Sequence, residues 1–207
     1  MYDFLNKFQI LRFKNYKVDV DAIKNQYLNE ILPKYKPHWK NTLNERIDTL
    51  PYEIAIKKYN HGGWSILSED GSIKSGWNDK CENEWDHIKE SPLCVGPIKK
   101  LKDDIINMGF KITRMRISCV FPNNHVKAHV DGIGTMFRFQ IPIITNKKIF
   151  FYNDDLIKHI PNGYIYLINV NAPHGILNLS NFDRIHIFMT VAGSTILQRI
   201  NEFEEIG

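Results

Sequence analysis

Cysteine is scarce in this chain of 207 residues, and long apolar runs are absent. The three cysteines, Cys81, Cys94 and Cys119, form neither an even set nor a Cys-x-x-Cys pair, which argues against a disulfide framework and a zinc knuckle. No apolar run reaches the roughly 18 residues of a membrane span. The opening residues Met1–Phe4 lack the basic and then apolar order of a secretory signal, so we expect a cytoplasmic protein with no membrane partner.

Charge is nearly balanced, with 27 basic and 23 acidic side chains and a net charge of +4. This excess is too small to require nucleic acid as a partner. Hydrophobic residues make up 43% of the chain and charged residues 24%, which is typical of a globular protein. We therefore expect one domain over residues 1–207, with a helical and irregular part at 1–110, a β core at 111–192 and a C-terminal helix at 193–207.

Two helices are predicted in the first part of the chain. Asp19 or Asp21 is placed to cap a helix that ends at Pro33, and a second helix starts at Pro92 or Pro97 and stops at Gly109. A strand is expected at 11–18, and His61 with its two glycines is interpreted as a plain loop. The aromatic residues that follow, including Trp64, are interpreted mainly as core residues.

Short alternating segments dominate after residue 110. Turn residues separate them, as in a β-sandwich or a β-barrel. A final helix is expected at Ser194–Glu205 because apolar residues recur there at helical spacing. The predicted strands are 112–121, 125–131, 136–144, 148–152, 163–169, 174–179 and 184–192.

His129-Val130-Asp131 is the first candidate site, because residues two apart on an extended segment point to the same side. One His-x-acid triplet is about the number expected by chance in a chain of this composition. Further downstream, His174 begins one predicted strand and Arg184 begins the next. Two histidines and one carboxylate are the ligands of a facial triad, which leaves three positions on Fe(II) open. An arginine nearby could hold the far end of a dicarboxylate with two parallel hydrogen bonds.

Alternation on three strands favours a polar interior. Each strand carries apolar residues on one side and specific polar groups on the other, and a polar face turned to water is the simpler interpretation of any one strand taken alone. A barrel lined by polar residues and metal ligands explains all three strands together. The polar sides carry Arg114, Arg116 and Ser118 on the first strand, Arg138 and Gln140 on the second, and Arg184, His186 and Thr190 on the third.

These residues, in this order and spacing, give the sequence a specific resemblance to a known family. From about residue 90 to residue 192, the chain resembles the aspartyl/asparaginyl β-hydroxylase-like branch of the Fe(II)- and 2-oxoglutarate-dependent dioxygenases, which includes bacterial free-proline hydroxylases. The motifs that carry the resemblance are Arg116-Ile117-Ser118, Phe121-Pro122-Asn123-Asn124, His129-Val130-Asp131, Arg138-Phe139-Gln140-Ile141-Pro142, Pro161-Asn162-Gly163, Asn171-Ala172-Pro173-His174, Asn178 and Asp183-Arg184-Ile185-His186.

The resemblance implies a double-stranded β-helix, the jelly-roll core of the cupins, with helices packed outside it. It implies that iron is bound by His129, Asp131 and His174, and that these three are the catalytic residues. Dioxygen and 2-oxoglutarate are then consumed, succinate and CO2 are released, and no separate acid or base is assigned.

The same resemblance assigns the cosubstrate pocket. Arg184 is expected to bind the distal carboxylate with Ser118 as its hydroxyl partner, and Arg138 is expected near the carboxylate at the metal end. Gln140 stands where some members carry a histidine, and His186 shares the face of Arg184, where it either lines the pocket or makes a core hydrogen bond.

Substrate and reaction class leave alternatives open. A nucleic-acid dealkylating dioxygenase would use the same triad, but those enzymes resemble Arg-x5-Arg after the last histidine, whereas Thr190 lies six residues after Arg184 here. A non-oxidative metal-binding cupin would keep the ligands without needing Arg184. We expect a free amino acid, a peptide or a related small molecule as substrate. Arg114, Arg116 and residues 60–90 are the expected places for substrate contacts, and His125 is interpreted as a rim residue.

Overall fold

The structure is a computed structural model, and it describes residues 10–35, 61–68, 70–73, 88–131, 136–153 and 156–206. Within these ranges the chain is mostly β. In chain order the strands are β1 (Ile10–Phe13), β2 (His61–Ser68), β3 (Lys89–Glu90), β4 (Ile112–Val120), β5 (Asn124–His129), β6 (Met136–Ile144), β7 (Ile149–Asn153), β8 (Leu156–Lys158), β9 (Tyr166–Ile168), β10 (His174–Asn178), β11 (Arg184–Ala192) and β12 (Phe203–Glu205).

The strands form two sheets. The larger sheet has the order β12-β1-β9-β6-β11-β4-β2-β3, and the smaller has the order β5-β10-β7-β8. From β4 to β11 the chain passes between the two sheets, so that β4, β6, β9 and β11 lie in one and β5, β7, β8 and β10 in the other. This arrangement is the double-stranded β-helix, and its pairings are antiparallel throughout.

The larger sheet has two different faces, as the alternation predicts. One face packs under the helices and is largely apolar, with Ile187, Met189 and Phe139 each completely buried. The other face turns toward the smaller sheet, where Val120 and Ile168 pack with Phe151 and Ile176 of that sheet. The polar residues of β4, β6 and β11 share this second face because side chains alternate along a strand. The barrel interior therefore receives the candidate site residues.

The helices lie on the outer side of the larger sheet. Helix α1 (Val20–Gln26) begins at Asp19, whose Oδ1 accepts a hydrogen bond from the amide of Ala22 at 3.1 Å, and it continues as a π-helical segment over Tyr27–Ile31. Helix α2 (Gly96–Asn107) begins with a proline in its first turn and is followed by Gly109 at φ +87°. Both predicted helices are confirmed in place.

The N-terminal part contains more strand than its mainly helical and irregular sequence pattern suggested. Three strands from residues 1–110, β1, β2 and β3, extend the larger sheet at its two edges. The first strand, expected at 11–18, is confined to Ile10–Phe13. The middle stretch contains the long strand β2, with Trp64 fully buried in the core and its indole N–H donating to the carbonyl of Tyr35 at 3.1 Å. Trp77, Trp85 and Cys81 lie outside the described residues.

The prediction of a C-terminal helix was wrong after Leu197. Helix α3 covers only Gly193–Leu197, a 3-10 turn follows at Ile200–Glu202, and the chain then pairs with β1 as strand β12. The apolar residues whose spacing suggested one helix belong to two different elements. Ile196 is buried from α3 and Phe203 from β12, where its ring centroid lies 5.1 Å from that of Phe13.

Two of the cysteines, Cys94 and Cys119, lie within the described residues, and both are free and buried. Burial raises the pKa of both thiols. Among the described helices, none combines the length and apolar character that crossing a bilayer requires.

Candidate metal and cosubstrate site

Strand pairing brings three potential metal ligands together. His129 ends β5 and His174 begins β10, and the two residues are direct partners in the antiparallel pair. Asp131 lies two residues after His129, and its amide donates to the carbonyl of Val170 at 3.0 Å, which fixes the chain as it leaves the strand. One ligand atom from each of the three side chains lies within 4.8 Å of the other two. The spacing therefore suits a single ion.

Hydrogen bonds orient both imidazoles toward the same point. Nδ1 of His129 lies 2.8 Å from the carbonyl oxygen of Lys127, and Nδ1 of His174 lies 3.0 Å from that of Ala172. A carbonyl only accepts, so each Nδ1 carries the proton and each Nε2 keeps its lone pair. Both Nε2 atoms approach Oδ1 of Asp131, at 3.3 and 4.0 Å. Backbone-bonded histidines of this kind are typical of protein metal sites.

The carboxylate of Asp131 is shared between the site and Arg138. Nε and Nη2 of Arg138 donate to Oδ2 of Asp131 at 3.2 and 2.9 Å, while Nη1 of Arg138 donates to the hydroxyl of Thr190. Burial alone would raise the pKa of Asp131, but a hydrogen bond from His129 when its ring is protonated, together with the charge of Arg138, holds that pKa well below its usual range. The carboxylate is thus kept ionised with Oδ1 available to a cation.

The two histidines differ in their electrostatic surroundings. The hydrogen bond that the protonated ring of His129 makes to Asp131 raises the pKa of His129, whereas burial lowers the pKa of His174. His174 is also held from the side, since the ring of Phe151 stacks with it at 5.9 Å between centroids. Gly175 follows directly, and a Cβ there would lie 2.2 Å from the hydroxyl of Tyr152 and 2.6 Å from the carbonyl oxygen of Val126. The strand that carries His174 accordingly requires glycine at this position.

A second group of polar side chains lies on the barrel-facing side of β11. Arg184 and His186 are buried, with 1% and 2% of their surface exposed, and Nη2 of Arg184 lies 2.7 Å from Nδ1 of His186. Oε1 of Gln140 lies 3.3 Å from the same nitrogen, and Ser118 faces His186 across the pair of β4 and β11. Arg184, His186 and Gln140, which the resemblance assigned to the cosubstrate pocket, are therefore neighbours. Ser118, assigned to the same pocket, is the strand partner of His186.

The donors of this group are not all satisfied. A guanidinium always donates, so Nδ1 of His186 accepts from Arg184 and the ring proton lies on Nε2. Nη1 of Arg184 and Nε2 of His186 are buried and have no hydrogen-bond partner among the described residues. Burial lowers the pKa of Arg184 to about 9, and burial together with the charge of Arg184 lowers the pKa of His186 well below its usual value. Two buried donors without acceptors fit one carboxylate.

Four polar residues named from the sequence lie at or near the cluster, on its rim or on a neighbouring strand. Arg138, expected near the cosubstrate carboxylate at the metal end, contacts Asp131 and Thr190. Thr190 was identified only as part of a polar face, although the alternation on β11 could have placed it in the site. His61 lies in β2 and not in the expected loop. His125 is exposed and is not part of the ligand cluster, in agreement with a rim position.

The loop that leads into β11 is organised by one amide. Nδ2 of Asn178 donates to the carbonyls of Val120, Phe121 and Phe182 at 2.9, 2.9 and 3.0 Å, and its Oδ1 accepts from the amide and the hydroxyl of Ser180. Asn178 is completely buried. It connects the end of β4 to the turn before Arg184, so its role is to set the position of that arginine.

Comparison with known proteins gives one family and a set of distant structural likenesses. Residues 53–193 match the family described as Aspartyl/Asparaginyl beta-hydroxylase. No curated protein matches the sequence. The fold is similar to that of an oxidoreductase of the 2OG-Fe(II) oxygenase family from Burkholderia pseudomallei, with 9% identity, 70% of this chain and 73% of that chain covered, and a TM-score of 0.46.

Two further solved structures are similar to smaller parts of this chain. One is a predicted oxalate decarboxylase from Thermotoga maritima, with 16% identity, 44% of this chain and 73% of that chain covered, and a TM-score of 0.34. The other is a cupin domain from Bordetella pertussis, with 12% identity, 38% of this chain and 79% of that chain covered, and a TM-score of 0.32.

Proposed function

Because the chain belongs to the aspartyl/asparaginyl β-hydroxylase family, we propose that it is an Fe(II)- and 2-oxoglutarate-dependent dioxygenase that hydroxylates an amino acid, a peptidyl residue or a related small molecule. The observation that carries the proposal is the pairing of two features in one barrel. A two-histidine, one-carboxylate cluster lies at the smaller sheet, and a buried guanidinium with an unsatisfied donor projects from the larger sheet toward the same barrel interior.

The metal would be held by His129, Asp131 and His174. Their donor set, two neutral imidazole nitrogens and one carboxylate oxygen, suits Fe(II) and leaves adjacent coordination positions free. When bound, iron and 2-oxoglutarate supply the oxidation: one oxygen atom of O2 goes to the substrate C–H bond and the other to succinate, with release of CO2. Both imidazoles need their Nε2 lone pairs for this role, and the hydrogen bonds from Nδ1 to backbone carbonyls keep those lone pairs free.

The distal carboxylate of 2-oxoglutarate would be bound by Arg184. Nη1 of Arg184 and the protonated Nε2 of His186 are the two donors that this carboxylate would satisfy. Ser118 would add its hydroxyl from the neighbouring strand. Gln140 acts indirectly in this arrangement, because its amide contacts the ring of His186. Arg138 would position the metal-binding carboxylate of Asp131.

The test is cosubstrate binding to protein loaded with a metal that does not react with oxygen. Titration of the Zn(II)-loaded protein with 2-oxoglutarate in a calorimeter is expected to show one binding site. Arg184→Gln should weaken binding by about 10- to 100-fold, since it removes charge-assisted hydrogen bonds. Arg114→Gln, which removes another buried guanidinium, from β4, is the matched control and should have a smaller effect. Equal losses in the two variants would remove the role assigned to Arg184.

A non-oxidative metal-binding cupin is the alternative that this titration separates. Such a protein would keep the three ligands, but it has no need for a buried guanidinium with a free donor. Metal binding without any response to 2-oxoglutarate would favour it. Formation of succinate from 2-oxoglutarate by the Fe(II)-loaded protein in air would exclude it.

A further inference from the structure

Phe188 is an apolar side chain in a polar row on the barrel-facing side of β11. The other members of this row are Arg184, His186 and Thr190. Successive members of such a row lie about 7 Å apart along a strand. The partners of Phe188 on the two neighbouring strands are polar as well, Arg116 on β4 and Gln140 on β6. The ring of Phe188, which is 6% exposed, is thus buried at the centre of a polar surface.

Toward one end of the strand, Phe188 adjoins the metal cluster through Arg138. The guanidinium carbon of Arg138 lies 4.9 Å from the centroid of the Phe188 ring. The same guanidinium donates to Oδ2 of Asp131 at 2.9 Å and to the hydroxyl of Thr190, two residues after Phe188. A single side chain therefore separates the ring from a carboxylate of the ligand cluster.

Toward the other end, Phe188 adjoins the group assigned to the distal carboxylate. His186 precedes it by two residues, and Gln140, the strand partner of Phe188, brings Oε1 within 3.3 Å of Nδ1 of His186. Nε2 of His186 and Nη1 of Arg184 are the buried donors that no described residue satisfies. A molecule that reaches from the metal cluster to these donors passes the ring of Phe188, because the ring lies between them along β11.

The smaller sheet also places an apolar side chain next to the metal cluster. Ile176 follows His174 by two residues on β10, so both side chains point to the same side of the strand. Ile176 belongs to one apolar cluster with Val120 of the larger sheet, which places it in the barrel interior. Its partner on β7 is Phe151, whose ring stacks with that of His174. Apolar side chains from both sheets therefore follow the metal cluster in the direction of Arg184.

We propose that Phe188 determines the chain length of the cosubstrate, because its ring packs against the methylene carbons of a 2-oxo diacid. The proposal rests on the proposed function, since it needs 2-oxoglutarate to bind between the metal and Arg184. 2-Oxoglutarate has two charged ends joined by two methylene groups, and the barrel offers the matching order of metal ligands, apolar side chains and polar donors. A diacid with one more methylene has to bend between the same two ends, and the ring of Phe188 fills the space that this bend requires.

The experiment compares 2-oxoglutarate with 2-oxoadipate, which is longer by one methylene group. Zn(II)-loaded protein is titrated with each diacid in a calorimeter, and the ratio of the two dissociation constants is the readout. Native protein is expected to bind 2-oxoglutarate about 10- to 100-fold more tightly than 2-oxoadipate. In Phe188→Leu and Phe188→Ala this preference should fall by about 10-fold, because the smaller side chains leave room for the additional methylene.

Phe137→Leu is the matched control, because Phe137 is also buried but belongs to the helix-side core, and its preference should equal that of native protein. Zn(II) binding is measured first in every variant, since it reports folding without the cosubstrate. A purely structural role of Phe188 would weaken both diacids equally. An unchanged preference in folded Phe188→Leu and Phe188→Ala would therefore overturn the proposal, as would native protein that binds the two diacids equally. Native protein that binds neither diacid would instead count against the proposed function itself.

Discussion

Arg138 holds Asp131 by a single oxygen. Nε and Nη2 of the guanidinium lie 3.2 and 2.9 Å from Oδ2, and the other oxygen, Oδ1, faces Nε2 of His129 at 3.3 Å. Oδ2 of Asp131 is therefore used by Arg138, and Oδ1 is the oxygen that belongs to the ligand cluster. This division favours a metal bound through Oδ1 alone, because a bidentate carboxylate would have to break the contact with Arg138.

Metal affinity should depend on this arginine although it does not touch the metal. Arg138→Lys keeps the positive charge but cannot make two bonds to Oδ2 and a third to the hydroxyl of Thr190. We expect about 10- to 100-fold weaker Mn(II) binding, the usual effect of losing a partner that orients a ligand. Paramagnetic resonance of free Mn(II) gives the affinity, and Arg12→Lys is the matched control. Unchanged affinity in Arg138→Lys would show that Asp131 does not need this support.

Stability should depend on pH through His186. Its pKa in the folded protein lies well below the usual value near 6.5. Below pH 6.5 the unfolded chain therefore binds a proton that the folded chain does not, so the free energy of unfolding falls as the pH is lowered. One such group contributes at most about 1.4 kcal/mol per pH unit. Urea unfolding of metal-free protein between pH 7.5 and 5 should show a smaller loss in His186→Gln than in the native protein.

The control for that measurement is His125→Gln, at an exposed position on β5. It removes a histidine without touching the buried pair of Arg184 and His186. Equal pH dependence in native protein and His186→Gln would mean that His186 is not held neutral in the folded state.

Asn178 should be the most sensitive polar residue of the loop before β11. Asn178→Ala leaves the buried carbonyls of Val120 and Phe121 and the half-buried carbonyl of Phe182 without their shared donor. Each unsatisfied buried group costs about 1–3 kcal/mol, partly offset where water enters. We expect a loss of about 3 kcal/mol in the free energy of unfolding, measured with urea. Its partner in the strand register, Asn124, donates to one carbonyl, and Asn124→Ala is the matched control. Similar losses in both variants would contradict the role of Asn178.

Most of the barrel could be predicted from the sequence because its strands alternate. Residues 136–144 and 184–192 were assigned as the structure has them, since one face of each strand meets an apolar core and the other meets specific polar partners. The strand at 156–158 was missed, as three residues carry no detectable period. Strand β2 was missed because it is buried on both faces and begins with His61-Gly62-Gly63, which gives no alternation.

The clustering of His129, Asp131 and His174 could be predicted from the sequence, but their contacts could not. The three residues were selected from residue type, order and spacing. The pairing of Arg138 with Asp131 depends on where β6 lies relative to the segment after β5, which is a property of the folded chain. The prediction of the last helix was wrong for a similar reason. Phe203 packs with Phe13 and Phe110, two residues that are distant from it in the sequence.

The most direct test of the central claim is the visible spectrum of the protein with Fe(II) and 2-oxoglutarate in the absence of oxygen. Chelation of the metal by 2-oxoglutarate at a site with three protein ligands and open positions should produce a charge-transfer band, and Asp131→Ala and His174→Ala should lack it. A flat difference spectrum for folded native protein that has bound Fe(II) would contradict the account.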